Sequence, residues 1–297
     1  MPLDLNPRQR AMLAEMGVRV WWPESVASED AAPVEPATVA VAAPTRPAEV
    51  ARTPTHVTPA QPVQPTMPPP KPAVSPVVAT PVVLGRRPDG VDRMDWLRLQ
   101  QAVADCEACD LCKTRKNTVF GVGAQAPEGQ APQVDWMIVG EAPGENEDLQ
   151  GEPFVGQAGK LLDNMLKACG LSRHAERGPD GGGVYIANVL KCRPPGNRNP
   201  RPEEVAQCEP YLQRQIALLQ PKIIIAMGRF AVQTLLQGSV PQVEAAPLGK
   251  LRGQVYDYHG VPVVVTYHPA YLLRSLSEKA KAWADLCLAM AHLRERR

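Results

Sequence analysis

The clearest pattern in the chain is a set of short, unbroken apolar runs separated by stretches with a helical period. Trp136-Met137-Ile138-Val139, Val184-Tyr185-Ile186-Ala187 and Ile223-Ile224-Ile225-Ala226 have the length of strands and are apolar at every position, not at alternate ones. Such a strand is buried on both faces, as parallel strands are when helices cover the sheet. Apolar spacings of three and four predict helices over 93–112, 156–168, 202–219, 229–237 and 276–296, with further strands over 252–258 and 262–267. The 202–219 helix carries its own start signal, Pro202-Glu203-Glu204, because proline fits a first turn and acids there complement the helix dipole. Strands alternating with helices predict an α/β three-layer sandwich, a mostly parallel central sheet with helices on both faces. Ligands bind such sheets beyond the carboxyl ends of the strands.

Upstream of residue 93 this periodicity stops. About a quarter of positions 31–90 are proline, set among Ala, Val and Thr. Proline fixes φ and removes a backbone donor, so a disordered, extended tether is expected. Residues 1–27 differ again: Arg8, Met12-Leu13, Met16-Gly17-Val18 and Trp21-Trp22 form a short amphipathic helix ended by Gly17, with tryptophans before Pro23. A segment this short holds no core and suits docking on a partner. The expected division is a docking peptide at 1–27, a Pro/Ala-rich linker at 28–92 and one domain at 93–297.

Charge and cysteine usage narrow the class. The 32 basic and 31 acidic residues leave a net charge of +1, so any nucleic-acid contact must come from a local patch. No apolar run reaches the roughly 18–20 residues of a membrane span, and Met1-Pro2-Leu3-Asp4 lacks a signal-peptide core, so a cytoplasmic protein with no membrane contact is expected. Seven cysteines, an odd number, argue against a disulfide framework and for metal ligation. Cys106-x2-Cys109 sets two thiolates within reach of one centre, and Cys192-x15-Cys208 supplies a second pair. Four soft sulfurs suit zinc or an iron–sulfur cluster, and spacing alone also allows buried free thiols. Cys169 and Cys287 fall on apolar helical positions and are expected in the core; Cys112 is left as a spare thiol near the first pair.

Several motifs fall at the carboxyl ends of the predicted strands. Gly140-Glu141-Ala142-Pro143-Gly144 follows the first strand, Asn188 the second and His268 the last. Singly, these read as a tight turn, a loop cap and a satisfied imidazole before proline. Together at one sheet edge they read as a site.

In order, Cys106-Glu107-Ala108-Cys109, Gly140 to Asp148, Pro153-Phe154-Val155-Gly156, Asn188 to Pro195 and His268 to Arg274 resemble the motifs of the family 4 uracil-DNA glycosylases, over roughly residues 95 to 293. The resemblance implies a uracil-DNA glycosylase fold, removal of uracil from DNA to start base-excision repair, and a [4Fe–4S] cluster on Cys106, Cys109, Cys192 and Cys208. Cleaving the N-glycosidic bond puts negative charge on the leaving base, so an anion must be held at uracil O2 and a water oriented. The Glu141–Pro143 turn, chiefly the Ala142 amide, and the His268 imidazole are the candidates for the anion. Asn188 would read O4 and N3–H, rejecting cytosine, and Phe154 would stack on the flipped base. Family 1 glycosylases carry a water-activating aspartate where this chain has Ala142 and a thymine-blocking tyrosine where it has Gly144. Water positioning therefore falls to a backbone group or Glu141, with Glu147 a further candidate.

DNA contact is expected from Tyr271-Leu272-Leu273-Arg274, with Leu272 and Leu273 as wedges and Arg274 on phosphate, and from Lys191, Arg193, Arg198, Arg201, Lys250 and Arg252. The segment 7–22 is similar to the N-terminal peptide of the psi subunit of bacterial clamp loaders, which implies the chi subunit as a partner. Two other readings use the same scaffold: a catalytically silent nucleic-acid-binding or replisome adaptor, and a glycosylase for another deaminated base such as hypoxanthine.

Overall fold

The computed structural model describes Glu15 and residues 85–296, apart from 125, 128 and 175–182. Glu15 is helical and exposed, its carboxylate 3.4 Å from the Lys167 ammonium. Otherwise the expected docking peptide and its segment 7–22, and the linker up to residue 84, lie outside the described residues. Residues 85–92, expected as linker, pack on the domain: the Gly85 amide donates to Ala108 O at 2.9 Å and Val91 is buried.

In chain order the elements are α1 (Trp96–Ala104), β1 (Val122–Gly123), β2 (Trp136–Gly140), α2 (Glu145–Gln150), α3 (Gln157–Ala168) and β3 (Val184–Asn188). There follow α4 (Pro202–Leu219), β4 (Ile223–Met227), α5 (Arg229–Leu236), α6 (Leu248–Leu251), β5 (Val255–Tyr258), β6 (Val261–Thr266), α7 (Pro269–Arg274) and α8 (Lys279–Glu295). The sheet order is β1-β3-β2-β4-β6-β5; the four middle strands are parallel and the two edge strands antiparallel to their neighbours. The expected mostly parallel α/β sheet is what the chain forms.

Alternation along the strands builds two cores. Ile138, Ile186, Ile225 and Val264 face α3 and α8, where Leu162, Met165, Trp283 and Leu286 meet them. Met137, Val139, Ile224 and Val265 face α4 and α5, against Leu212, Ile216, Val232 and Leu235. Every residue of β2, β3 and β4 is buried, which is why these runs had no polar positions.

Two expected helices are corrected. The helix expected over 93–112 ends at Ala104; the chain turns at Asp105, and a separate 3-10 turn runs over Asp110–Lys113. That break lets Cys106 and Cys109 point into the domain, since a continuous helix would carry them along its axis. The helix expected over 276–296 starts at Lys279, after a 3-10 turn at Leu276–Glu278. The strand expected over 252–258 starts at Val255, because Gly253 takes a left-handed φ of 77°.

Candidate active site

Because β3, β2, β4 and β6 are parallel neighbours, their carboxyl ends open onto one cleft. A cavity of about 690 Å³ lies there, lined among others by Glu141 and Ala142 after β2, Asn188 ending β3, Gly228 after β4 and His268 after β6. Pro143, Phe154 and Arg274 also line it. Seven of the nine expected non-cysteine site residues are thus brought together. Leu272 and Leu273 are not among the lining residues.

Phe154 and His268 stack, with ring centroids 5.3 Å apart and planes 28° from parallel. Gly140 makes room for the floor: a Cβ there would lie 2.4 Å from Asn188 Oδ1 and 2.5 Å from the Phe154 ring. Sequence reading treated this glycine only as part of a turn. Asn188 is 2% exposed, and its Oδ1 has no hydrogen-bond partner among the described residues. A buried carbonyl left unpaired costs about 1–3 kcal/mol, so it is a place prepared for a donor.

The His268 imidazole accepts from the Ala270 amide through Nδ1 at 3.2 Å, at the start of α7. The proton of the neutral ring then sits on Nε2. Burial, helped by Arg274, lowers the pKa to about 4 against a smaller opposing pull from Glu147, so the ring is neutral near pH 7. No hydrogen bond among the described residues occupies the Ala142 N–H. Burial raises the Glu141 carboxyl to about 7, and no hydrogen bond or ion pair among the described residues offsets it. Glu147 is differently placed: Oε1 accepts from the Val155 and Gly156 amides at 2.9 and 3.0 Å, and Oε2 from Gly144 at 3.1 Å. Its carboxylate is committed to the loop, which argues against the water-positioning role considered for it.

Behind the Asn188 segment lie the four cysteines. Cys109, Cys192 and Cys208 share one buried cluster with Leu111 and Leu190, and Ala142 of the cavity packs on it. Cys106, Cys109, Cys192 and Cys208 act electrostatically on one another. Burial pushes the Cys192 thiol up to about 11 and raises Cys109 and Cys208 as well. Arg115 donates to Cys192 Sγ at 3.3 Å and to Cys106 O at 2.7 Å, and the buried Tyr211 hydroxyl lies against Cys106. Cys169 and Cys287 are half-buried and pack against the α3/α8 core; Cys112 is also half-buried.

Three expected DNA contacts are corrected. Leu272 is fully buried in the α3/α8 core, because α7 turns that side chain inward, while Leu273 is exposed. Lys191 is 1% exposed, its ammonium bound to Asn188 O at 2.8 Å and Gln215 Oε1 at 2.7 Å. Arg252 pairs with buried Asp285 at 2.7 Å and lies 4.5 Å from the Tyr267 ring centroid. Arg198 is half-committed, holding Glu204 at the start of α4; Arg193, Arg201 and Lys250 keep exposed or half-exposed positions.

The comparisons agree with this geometry. The family description "Uracil DNA glycosylase superfamily" matches residues 126–287. A type-4 uracil-DNA glycosylase of Archaeoglobus fulgidus is 45% identical over 175 residues, covering 58% of this chain and 79% of that protein. One of Pyrobaculum aerophilum is 41% identical over 199 residues, covering 66% and 93%, and one of Saccharolobus solfataricus is 43% identical over 188, covering 62% and 78%.

Proposed function

The chain belongs to the uracil DNA glycosylase superfamily and, within it, to the type-4 enzymes, and from that premise we propose that it hydrolyses the bond between uracil and deoxyribose in DNA, the first step of base-excision repair. The observation that carries the reading is the unpaired Asn188 Oδ1 beside the Phe154 ring at the bottom of the cavity. A uracil turned out of the helix stacks on Phe154 and gives its N3–H to that oxygen, while the Asn188 amide donates to O4. Cytosine offers an amino donor where uracil has O4, so the same amide rejects it. As the bond breaks, negative charge gathers on the base, and the free Ala142 N–H and the His268 Nε2–H face that charge. A neutral imidazole serves here by donating a hydrogen bond, with no proton transfer needed. Glu141, once ionised, orients the attacking water.

Cys106, Cys109, Cys192 and Cys208 would hold a [4Fe–4S] cluster. Cys109, Cys192 and Cys208 share one buried cluster and Cys106 acts electrostatically on two of them; four soft sulfurs suit either zinc or a cluster, and the likeness of the motifs to the family 4 enzymes is what favours the cluster. The bound cluster would supply a covalent tie between the loop after α1, the Asn188 segment and α4. The same reduced thiols support a cytoplasmic location, and no helix among the described residues is long and apolar enough to cross a membrane. Residues 7–22 are proposed to dock on the chi subunit of a clamp loader.

The test is base release from matched oligonucleotides carrying uracil, thymine or hypoxanthine, using anaerobically purified protein. Release of uracil alone is expected, with about four irons per chain. Binding without release would make the protein an adaptor, and preferential release of hypoxanthine would reassign the base.

A further inference from the structure

We propose that Arg173, which lies outside the cavity, is a positioning residue for the stacking ring: it fixes the backbone of Phe154 in the conformation that lays the ring against His268 and the base. The inference rests on the reading of the cavity as the uracil site. Phe154 has φ of 55°, in the left-handed region that a bulky side chain rarely enters. Such a conformation persists only where the surroundings impose it, and it is commonest at functional sites.

The imposing group is one guanidinium. Arg173 is 6% exposed; Nη1 donates to Pro153 O at 2.8 Å and Nη2 to Phe154 O at 2.9 Å. The first carbonyl belongs to the peptide plane before the Phe154 Cα and the second to the plane after it. Holding both planes with one rigid, planar fork fixes φ and ψ of the residue between them, which a point donor such as lysine cannot do. Nε of the same fork donates to Asp163 Oδ1 on α3 at 2.7 Å, so the clamp is anchored to a helix. The helix reaches the loop because residue 159 is glycine; a Cβ there would come 1.7 Å from Phe154 O. Glu147 takes the next two amides, those of Val155 and Gly156. Arg173 does not line the cavity, so whatever it contributes to uracil release passes through Phe154.

The test is a double-mutant cycle on the full chain carrying its metal, reading single-turnover uracil release by the parent, Arg173→Met, Phe154→Ala and the double variant. Arg173→Met is expected to slow release about tenfold in the parent and less than twofold when Phe154 is already alanine, the non-additivity of residues acting through one another. Arg173→Lys, which keeps the charge and the ion pair but not the fork, should repeat most of the loss and serves if the methionine variant does not fold. Equal losses in both Phe154 backgrounds, or a folded Arg173→Lys variant with the parental rate, would overturn the clamp. No uracil release by the parent would instead defeat the reading of the site, and the inference with it.

Discussion

The segment from Asn188 to Cys192 divides two regions that treat buried polar groups in opposite ways. On the cavity side groups stand unpaired: the buried Asn188 Oδ1 and, on two half-buried residues, the Ala142 N–H and the Glu141 carboxyl. On the cysteine side most are paired, the buried Tyr211 hydroxyl beside Cys106 excepted. The Lys191 ammonium reaches Asn188 O, Gln215 Oε1 and, at 3.5 Å, Phe120 O, and Glu204 accepts from Arg198 and from the Arg201 amide. An unpaired buried group persists against its own cost where a ligand completes it, whereas a paired one holds the fold. The thiols are a further exception on the cysteine side, since burial raises three of them, and a metal cluster that takes them as thiolates would complete that region too. Lys191 belongs to both regions, because the group that faces Cys192 and Cys208 also holds the carbonyl of the residue expected to read uracil.

The largest expected effect tests the cysteine side. Cys208→Ser removes one of the four proposed cluster ligands from a buried site, so the variant should lose the iron expected there and most of its folded yield, measured by metal content and by thermal melting. A variant that melts at the parental temperature without iron would show that this region is held by packing alone, and the contrast between the two sides would collapse.

How far the sequence announced this arrangement depends on the range of the interaction. The strands were legible because β2, β3 and β4 are buried on both faces, and the site motifs because each follows one of those strands. α2 and α7, six residues each, hold too few turns to leave a period in the pattern. Nothing local distinguishes Leu272 from Leu273, since the phase of a single helical turn decides which one is buried. Lys191 and Arg252 read as solvated charges because the partners that bury them, Gln215 and Asp285, lie 24 and 33 positions away. The left-handed Phe154 and its Arg173 clamp leave no signal of either kind, because any phenylalanine looks the same in sequence whatever its φ.

The cavity side is tested next by Asn188. Asn188→Ala should lower uracil release by roughly 10²–10³-fold, the order found when one preorganised group facing a developing anion is removed. Because its buried side chain lines the cavity and is not one of the four proposed cysteine ligands, iron content should stay near the parental level. Asn188→Asp should move preference toward cytosine, whose amino group a carboxylate accepts. If both variants release uracil at the parental rate, the unpaired oxygen is not the reader, and an unpaired group in this fold would not mark a ligand.

The smallest effect, and the one that separates the two sides by pH, belongs to Glu141. Burial holds its carboxyl at about 7, above an ordinary value of 4.5, so the folded state prefers the protonated form. The stability tied to this group is fully present below about pH 4.5 and is lost as pH rises through 7. His268 runs the other way: its folded value of about 4 lies below the ordinary 6.5, so its share is full above 6.5 and is lost as pH falls toward 4. Between pH 6.5 and about 7, of these two groups, only Glu141 still changes the balance. If the ionised carboxylate orients water, uracil release should climb through about pH 7, while Glu141→Gln should flatten that limb and cost about tenfold at pH 8, within the range of general acid–base groups and below their usual 10²–10⁴ because no proton need be taken in full. The same substitution removes the buried charge, so it should raise the melting temperature at pH 8 and change it little at pH 5. A parental profile that is flat from pH 6 to 8, or a variant that loses activity equally at both ends, would return Glu141 to the structural side of the division and leave water positioning to the backbone of the Ala142 turn.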